Sequence, residues 1–235
     1  YLAYQTMGKG SKDKTVEVLL VASKKKMVQE LEMVINQANL GLPIVDVDAF
    51  ALCNCFEFSY PELLGEPNYL LDIGGQQSAV CVFSRRQPVF HREVSFGGHQ
   101  LTDHIAKLLN INRQEAEKIK LNGPEGLSAD QAASVANSVD EMLSNWADEL
   151  KRLIGFYQTS MPDAEMASKL FLAGGASLLP GLSKKFGQDL NLEVSHIDPW
   201  RKVNKNPAKF DESFLYEVGP QFVVPMGLAL RSVTG

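Results

Sequence analysis

The stretch Tyr69-Leu70-Leu71-Asp72-Ile73-Gly74-Gly75 decides the fold prediction, because it reads as a buried strand that ends in two glycines. About a hundred residues later the pattern returns as Leu170-Phe171-Leu172-Ala173-Gly174-Gly175. Residues without a Cβ accept a positive φ at little cost and let backbone amides approach a ligand closely. Two such turns predict a nucleotide cleft.

Composition limits the classes of protein that need to be considered. The chain has 235 residues, of which 45% are apolar and 22% are charged, and its net charge is −5. These values predict a soluble globular protein and argue against a general nucleic-acid binder. No apolar stretch approaches the ~18 residues of a membrane span. The three cysteines Cys53, Cys55 and Cys81 lack paired CxxC spacing, which predicts reduced thiols in a cytosolic protein.

The first part of the chain predicts a small strand-helix-strand unit. Residues 16–22 read as a strand and residues 44–47 as a second strand. The helix between them carries an apolar stripe, and Gly41 is placed to end it. Asp48 is predicted to act as the N-cap of a short helix over residues 49–56.

The rest of the chain predicts a three-stranded meander, a helical region and a second α/β segment. The meander strands are residues 69–73, 78–83 and 89–94, and a helix follows Gly97-Gly98. Residues 111–162 read as helical, with a long apolar stripe that we expect to face a core. A strand over residues 169–173, a short helix and a strand near residues 192–195 follow, before a last apolar segment over residues 218–230.

The two glycine turns differ from the common phosphate-binding loops. Asp72 with Gly74 and Gly75 offers amide donors and an acid that could hold Mg²⁺ through water. No GK[ST] follows these glycines, so the turn is not a Walker A loop. Gly174 and Gly175 likewise lack the spaced glycines of the dinucleotide fingerprint. On these residues alone, a plain hairpin at Asp72 remains an alternative.

Order and spacing resemble the superfamily of actin, Hsp70 and sugar kinases. Asp72-Ile73-Gly74-Gly75 resembles its second phosphate motif, and Leu172-Ala173-Gly174-Gly175 with Pro180 resembles its adenosine motif. Glu117 and Lys120 resemble the pair that holds ribose and adenine, and their spacing of three places both on one helix face. An exposed ion pair is the alternative for these two residues. The resemblance implies an α/β, actin-like ATPase (ribonuclease H-like) fold with two lobes.

Several short runs are similar to the PilM family of type IV pilus assembly proteins, with FtsA as a relative of similar layout. These runs are Glu17-Val18-Leu19-Leu20-Val21-Ala22, residues 41–51, Arg92-Glu93-Val94, Gly97-Gly98 with Leu101-Thr102, Glu115-Ala116-Glu117, and Pro180-Gly181-Leu182. The resemblance implies a small α/β subdomain at residues 1–47 and a helical insert at residues 113–166. Residues 48–66 and 215–235 would belong to the first lobe, and residues 67–112 and 167–200 to the second. We expect the first part of the first lobe, including its phosphate loop, to lie upstream of Tyr1.

The resemblance also implies the cofactors and their site. ATP and Mg²⁺ would be bound, with Asp48 and Asp72 as catalytic carboxylates that hold the metal through water. The nucleotide-binding residues would be Gly74, Gly75, Gln76, Gln77, Gly98, Glu117, Lys120, Gly174, Gly175 and Ala176. Gln76-Gln77 stands where better hydrolases have Gly-Thr, and Ala79 where many have a second acid. We therefore expect weak or no ATPase activity.

The expected function is that of a cytoplasmic nucleotide-binding scaffold of type IV pilus biogenesis. The resemblance implies that it binds the cytoplasmic N-terminal tail of the inner-membrane protein PilN and reaches the membrane only through partners. Two alternatives stay open: an active ATPase or small-molecule kinase of the same fold, and an FtsA-like filament protein with a C-terminal membrane helix. The histidines His91, His99, His104 and His196 lack metal-ligand spacing and are interpreted as surface or loop residues.

Overall fold

The computed structural model describes residues 1–9, 15–206 and 208–231. These residues form two compact units, Tyr1–Asp46 and Val47–Gly235. Among the described residues, every helix is too short or too polar to traverse a bilayer. Residues 232–235, part of the segment where the FtsA-like alternative expects a membrane helix, lie outside the described ranges.

The first unit is an antiparallel pair of strands followed by a helix. Strand β1 (Leu2–Lys9) pairs with β2 (Val16–Ala22), and helix α1 spans Lys25–Gln37. The predicted second strand over residues 44–47 is wrong, because this segment has no regular secondary structure. Ile44 and Val45 are 46% and 48% exposed, so these apolar side chains are not buried as they would be in a core strand.

Helix α1 ends earlier than predicted. Asn39 takes the left-handed conformation, with φ of 58°, and the Leu40 N–H donates to the Ile35 carbonyl at 3.1 Å. This is the Schellman arrangement, which glycine and asparagine both accommodate. The prediction that Gly41 ends the helix is therefore wrong.

The second unit is built on a five-stranded mixed sheet. Its order is β5 (Gln87–Val94), β4 (Ser78–Ser84), β3 (Asn68–Ile73), β6 (Lys169–Ala173) and β7 (Glu193–His196). Strands β3, β4 and β5 run antiparallel in sequence, which confirms the predicted meander. Strand β6 pairs with β3 in parallel, and β7 with β6 in parallel.

Helices cover both faces of this sheet. The helices of this unit are α2 (Asp48–Ser59), α3 (Gly98–Leu109), α4 (Arg113–Asn122), α5 (Ala129–Ser160), α6 (Leu182–Leu190), α7 (Glu212–Val218) and α8 (Val223–Leu230), and all except α7 contribute to the cores on the sheet. Short 3-10 helices occupy Pro61–Leu63, Gly175–Leu178 and Gly219–Phe222. The helix predicted after Gly97-Gly98 and the helical region over residues 111–162 are confirmed.

Alternation along β3 creates two cores. Tyr69, Leu71 and Ile73 pack with α3, α5 and α6 on one face of the sheet. Leu70 packs with α2 and α8 on the other face. Successive side chains of a strand point to opposite faces, so a strand buried on both sides reads as a continuous apolar run. The apolar stripe of α5 lies in the first core, as predicted.

Helices α2 and α8 contact each other at a glycine. A Cβ added at Gly227 would overlap the backbone carbonyl of Ala51, so the two helices can be this close only without that atom.

Helix α2 begins at Asp48 itself, with Val47 as the N-cap and no side-chain cap. The prediction of Asp48 as N-cap is wrong; its carboxylate lies in the first turn, where a negative charge is favourable.

We predict that Gly227→Ala destabilises the protein by about 3 kcal/mol, because the clash is with backbone that cannot rotate away. Gly155→Ala is the matched control, since it also lies inside a helix and has no atom within 4 Å of an added Cβ. That control should stabilise by about 1 kcal/mol through helix propensity. Urea unfolding of both variants tests the pair, and equal effects would show that the α2–α8 contact does not constrain the fold.

Candidate functional site

The two glycine turns lie side by side at one end of the sheet. Strands β3 and β6 are parallel neighbours, and Asp72 is paired in register with Ala173. Parallel strands end at the same edge of a sheet, so the turn at Gly74-Gly75 and the turn at Gly174-Gly175 leave the sheet together. In open α/β sheets, ligands bind at this carboxyl edge.

Gly174 allows the two turns to touch. It has φ of 83°, and a Cβ there would overlap Oδ1 of Asp72 and the carbonyl oxygen of Ile73. Its N–H donates to the Pro220 carbonyl at 2.8 Å, which fixes the turn against the last part of the chain. Any residue with a Cβ at this position would push Asp72 away.

The start of α3 closes over the first turn. The N–H groups of Gly98 and His99 donate to the carbonyls of Gly74 and Gly75, at 3.0 and 2.7 Å. A Cβ at Gly97 would lie 2.6 Å from the Gly75 oxygen, so this approach also needs glycine. The Gly74 N–H donates to the Gln77 carbonyl at 3.1 Å. The turn is therefore a hairpin, as the plain alternative holds, and in addition it is held by two other segments.

Gln76 and Gln77 form the exposed tip of this hairpin, while Gly175 faces a different segment. A Cβ at Gly175 would lie 3.7 Å from Cγ of Gln221. Ala176 lies next to α3, because a Cβ at Gly98 would be 3.0 Å from the Ala176 Cβ and 3.4 Å from Nζ of Lys120. Both glycine turns thus contact the start of α3 or the residues around it.

Glu117 and Lys120 are linked to the same place by Thr102. The ammonium of Lys120 lies 2.7 Å from Glu117 Oε1 and donates to Thr102 Oγ1 at 3.0 Å and to the Gly98 carbonyl at 3.3 Å. The Thr102 hydroxyl donates to Glu117 Oε2 at 2.5 Å. The Lys120 side chain is 7% exposed and that of Glu117 is 40% exposed. The alternative of an exposed surface ion pair is therefore wrong for Lys120.

These contacts leave the Glu117 carboxylate ionised and accessible. Partial burial raises its pKa, but the hydrogen bonds from Lys120 and Thr102, with the charge of Lys120, outweigh burial and lower the pKa below its ordinary value. A half-exposed carboxylate held by a buried ammonium is a fixed hydrogen-bond acceptor for an uncharged hydroxyl donor.

Asp72 and Asp48 are brought together on the other side of the turns. Asp72 lies two residues after Leu70 on β3 and so points toward the same face, which α2 covers and where Asp48 begins the helix. Burial and the charge of Asp48 raise the pKa of Asp72 to about 6. Two neighbouring carboxylates repel each other when both are ionised, and a bound divalent cation would offset this repulsion. Mg²⁺ needs only one or two carboxylates when waters and phosphates complete its shell. No group of three or more potential metal-ligating residues occurs among the described residues.

We predict that Asp72→Asn stabilises the metal-free protein at pH 8 but not at pH 4. The unfolded chain loses the proton near its ordinary pKa of 3.8 and the folded chain near 6, so the cost of ionising Asp72 builds up between these values and is complete above them. The gain at pH 8 should be up to about 3 kcal/mol. Urea unfolding in EDTA measures it, with exposed Asp163→Asn as control. A gain that is equal at both pH values would contradict the burial of this charge.

A cavity of about 340 Å³ adjoins the Glu117–Lys120 pair. Its walls are mainly apolar and come from α3, α4, α5 and the segment before α6. They include Leu101, Ile119, Val135 and Pro180, and the charged side chains that line the cavity are Lys120, Asp140 and Lys185. Pockets of this size with few polar groups are typical of small-molecule sites.

Thr102 and His99 belong to this region although the sequence motifs did not single them out as site residues. Thr102 lies four residues after Gly98, which is the helical spacing that returns its hydroxyl to the Gly98 carbonyl at 3.1 Å. The interpretation of the histidines as surface or loop residues is correct for His99 and His104, which are exposed on α3, whereas His91 and His196 are partly buried on strands. His196 is half-buried, with Nε2 3.0 Å from the Ser177 carbonyl oxygen.

The family model described as type IV pilus assembly protein PilM matches residues 1–233. The chain belongs to the PilM family. A similar solved structure is a PilM-PilN type IV pilus biogenesis complex, with a TM-score of 0.87 and 24% identity over 100% of this chain and 67% of that chain. The fold described here is therefore that of a PilM-family protein.

Two further solved structures show the same fold at greater distance. The ethanolamine utilization protein EutJ from Carboxydothermus hydrogenoformans has a TM-score of 0.63 and 18% identity, over 89% of this chain and 62% of its own. MreB 5 of Spiroplasma citri, bound to AMPPNP, has a TM-score of 0.58 and 15% identity, over 91% of this chain and 66% of its own. The predicted actin-like ATPase fold is confirmed.

Proposed function

We propose that this protein is an actin-like scaffold of type IV pilus assembly that binds ATP with Mg²⁺ at the two glycine turns. One observation carries the proposal: Asp72, both turns and the Glu117–Lys120 pair are joined by direct contacts at one edge of the sheet. The family match supplies the biological setting, and MreB 5, of the same fold, binds AMPPNP.

Different residues would contact the phosphates, the metal ion, the ribose and the base. The backbone at Gly74 and Gly75 would lie along the phosphates, and that at Gly174 and Gly175 along the adenosine, where side chains would exclude the ligand. Asp72 and Asp48 would hold Mg²⁺ through water, and the ion would neutralise phosphate charge. Glu117 would accept hydrogen bonds from the ribose hydroxyls, and the apolar cavity beside Lys120 and Pro180 would receive the base.

Recognition is better supported than hydrolysis. Ala79 is the register partner of Asp72 on the neighbouring strand, so the position beside this carboxylate holds a methyl group and not a second acid. Gln76 and Gln77 add no charge at the hairpin tip. A loose phosphoryl-transfer transition state depends on positioned charge. We therefore propose weak or no turnover for this protein.

Calorimetric titration of the full-length protein with Mg-ATP tests the nucleotide part of the proposal. Glu117→Gln should weaken ATP binding about 10-fold, because a charge-assisted hydrogen bond to the ribose is replaced by a neutral one. Glu115→Gln is the matched control on the same helix; its side chain is exposed, and affinity should not change.

Absence of any heat of binding with Mg-ATP in the wild-type protein would overturn the nucleotide site. Equal weakening by both variants would show that Glu117 acts through the general charge of α4 and does not contact the ribose.

We also propose that the protein binds the cytoplasmic N-terminal tail of PilN and is brought to the inner membrane by that contact. The proposal is supported by the family match and by the PilM-PilN complex of the same fold. If nucleotide and tail prefer the same conformation, each raises the affinity for the other by the same factor.

A labelled peptide with the sequence of the PilN tail from the same organism tests this partner. We expect saturable binding by fluorescence anisotropy, and the ratio of peptide affinities with and without Mg-ATP should equal the ratio of ATP affinities with and without peptide. A scrambled peptide is the control. Binding of both peptides alike would reject the specific interaction, whatever the result for ATP.

A further inference from the structure

His99 occupies the space that a side chain at position 75 would fill. A Cβ built on Gly75 would lie 2.9 Å from both Cε1 and Nε2 of the imidazole. The backbone N–H of His99 donates to the Gly75 carbonyl at 2.7 Å, so the residue is fixed to this turn through its main chain as well. Both residues are exposed, which leaves the ring accessible to a ligand that approaches the turn.

The ring also lies within electrostatic reach of Glu117. The charge of His99 contributes to the lowering of the Glu117 pKa, after the larger effects of burial, Lys120 and Thr102. His99 is therefore flanked by the turn proposed to hold phosphates and by the carboxylate proposed to hold the ribose. A ligand that contacts both features would lie near the imidazole.

The helix start itself has few donors left for an anion. The amides of Gly98 and His99 are already bonded to the carbonyls of Gly74 and Gly75, and the amide of Gln100 is bonded to the Gly97 carbonyl at 3.0 Å. Unsatisfied amides at a helix N-terminus are the usual anion-binding groups. Because these three amides are occupied and the Gln100 side chain donates to the Ser95 carbonyl, the side chain of His99 is the donor that this helix start can offer to a phosphate.

We propose that the His99 imidazole donates a hydrogen bond to a phosphate of the bound nucleotide. This inference rests on the proposed nucleotide site and adds to it a side chain that contacts a phosphate. Gly75 then has a second function, since its missing Cβ leaves room for the ring. Lys120 is held by Glu117, Thr102 and Gly98, so His99 supplies a contact that the buried lysine does not.

A ligand series separates a phosphate contact from a packing role. Adenosine, AMP, ADP and ATP are titrated with Mg²⁺ into the full-length wild-type protein and His99→Ala. We expect the variant to bind ADP and ATP about 10-fold more weakly, with adenosine unchanged, because only phosphorylated ligands reach the ring. His99→Gln, which keeps an N–H donor, should recover part of the loss.

His104→Ala is the matched control, because it removes an exposed histidine from the same helix at a position away from the turn. It should leave all four affinities unchanged. Equal weakening of adenosine and ATP by His99→Ala would show that the ring only packs on Gly75, and this result would overturn the inference. Unchanged affinities would also overturn the inference while leaving the nucleotide site intact. The proposed nucleotide site itself fails if the wild-type protein does not bind Mg-ATP.

Discussion

The parallel pairing of β3 with β6 is the constraint on which the site depends. These strands are separated by about a hundred residues, yet their register places Asp72 beside Ala173. Once they pair, both glycine turns leave the sheet at one edge. The contact between Gly174 and Asp72 is then so close that only glycine fits. The long helical insert supplies the connection that parallel neighbours require.

The same edge is completed by α3 and α4. The start of α3 bonds to the first turn through backbone amides, and its next turn presents Thr102 to Lys120 and Glu117. A hydrogen-bonded path therefore runs from the carbonyl of Gly74 to the carboxylate of Glu117. Such a path lets one ligand contact groups from three segments that are far apart in sequence, and it makes their geometry mutually dependent.

Much of the fold follows from local patterns. The meander, the helix after Gly97-Gly98 and the apolar stripe of α5 were all predictable, because strands buried on one or both faces and amphipathic helices have distinct periods. The errors lie where local sequence is ambiguous. Residues 44–47 have strand-like composition but no regular secondary structure, and Asn39 ends α1 before Gly41 because both residue types accept a positive φ.

The sequence by itself determined which residue types stand at the site: the glycines of the two turns, the acid Asp72, and Glu117 with Lys120 on one helix face. Their order along the chain was enough to indicate the family. Only the tertiary structure decided that Lys120 is buried, that burial and the charge of Asp48 raise the pKa of Asp72, and that His99 lies on Gly75. The burial of a side chain, the charges around it and the residues it contacts depend on strands and helices that are distant in sequence. No local pattern specifies them.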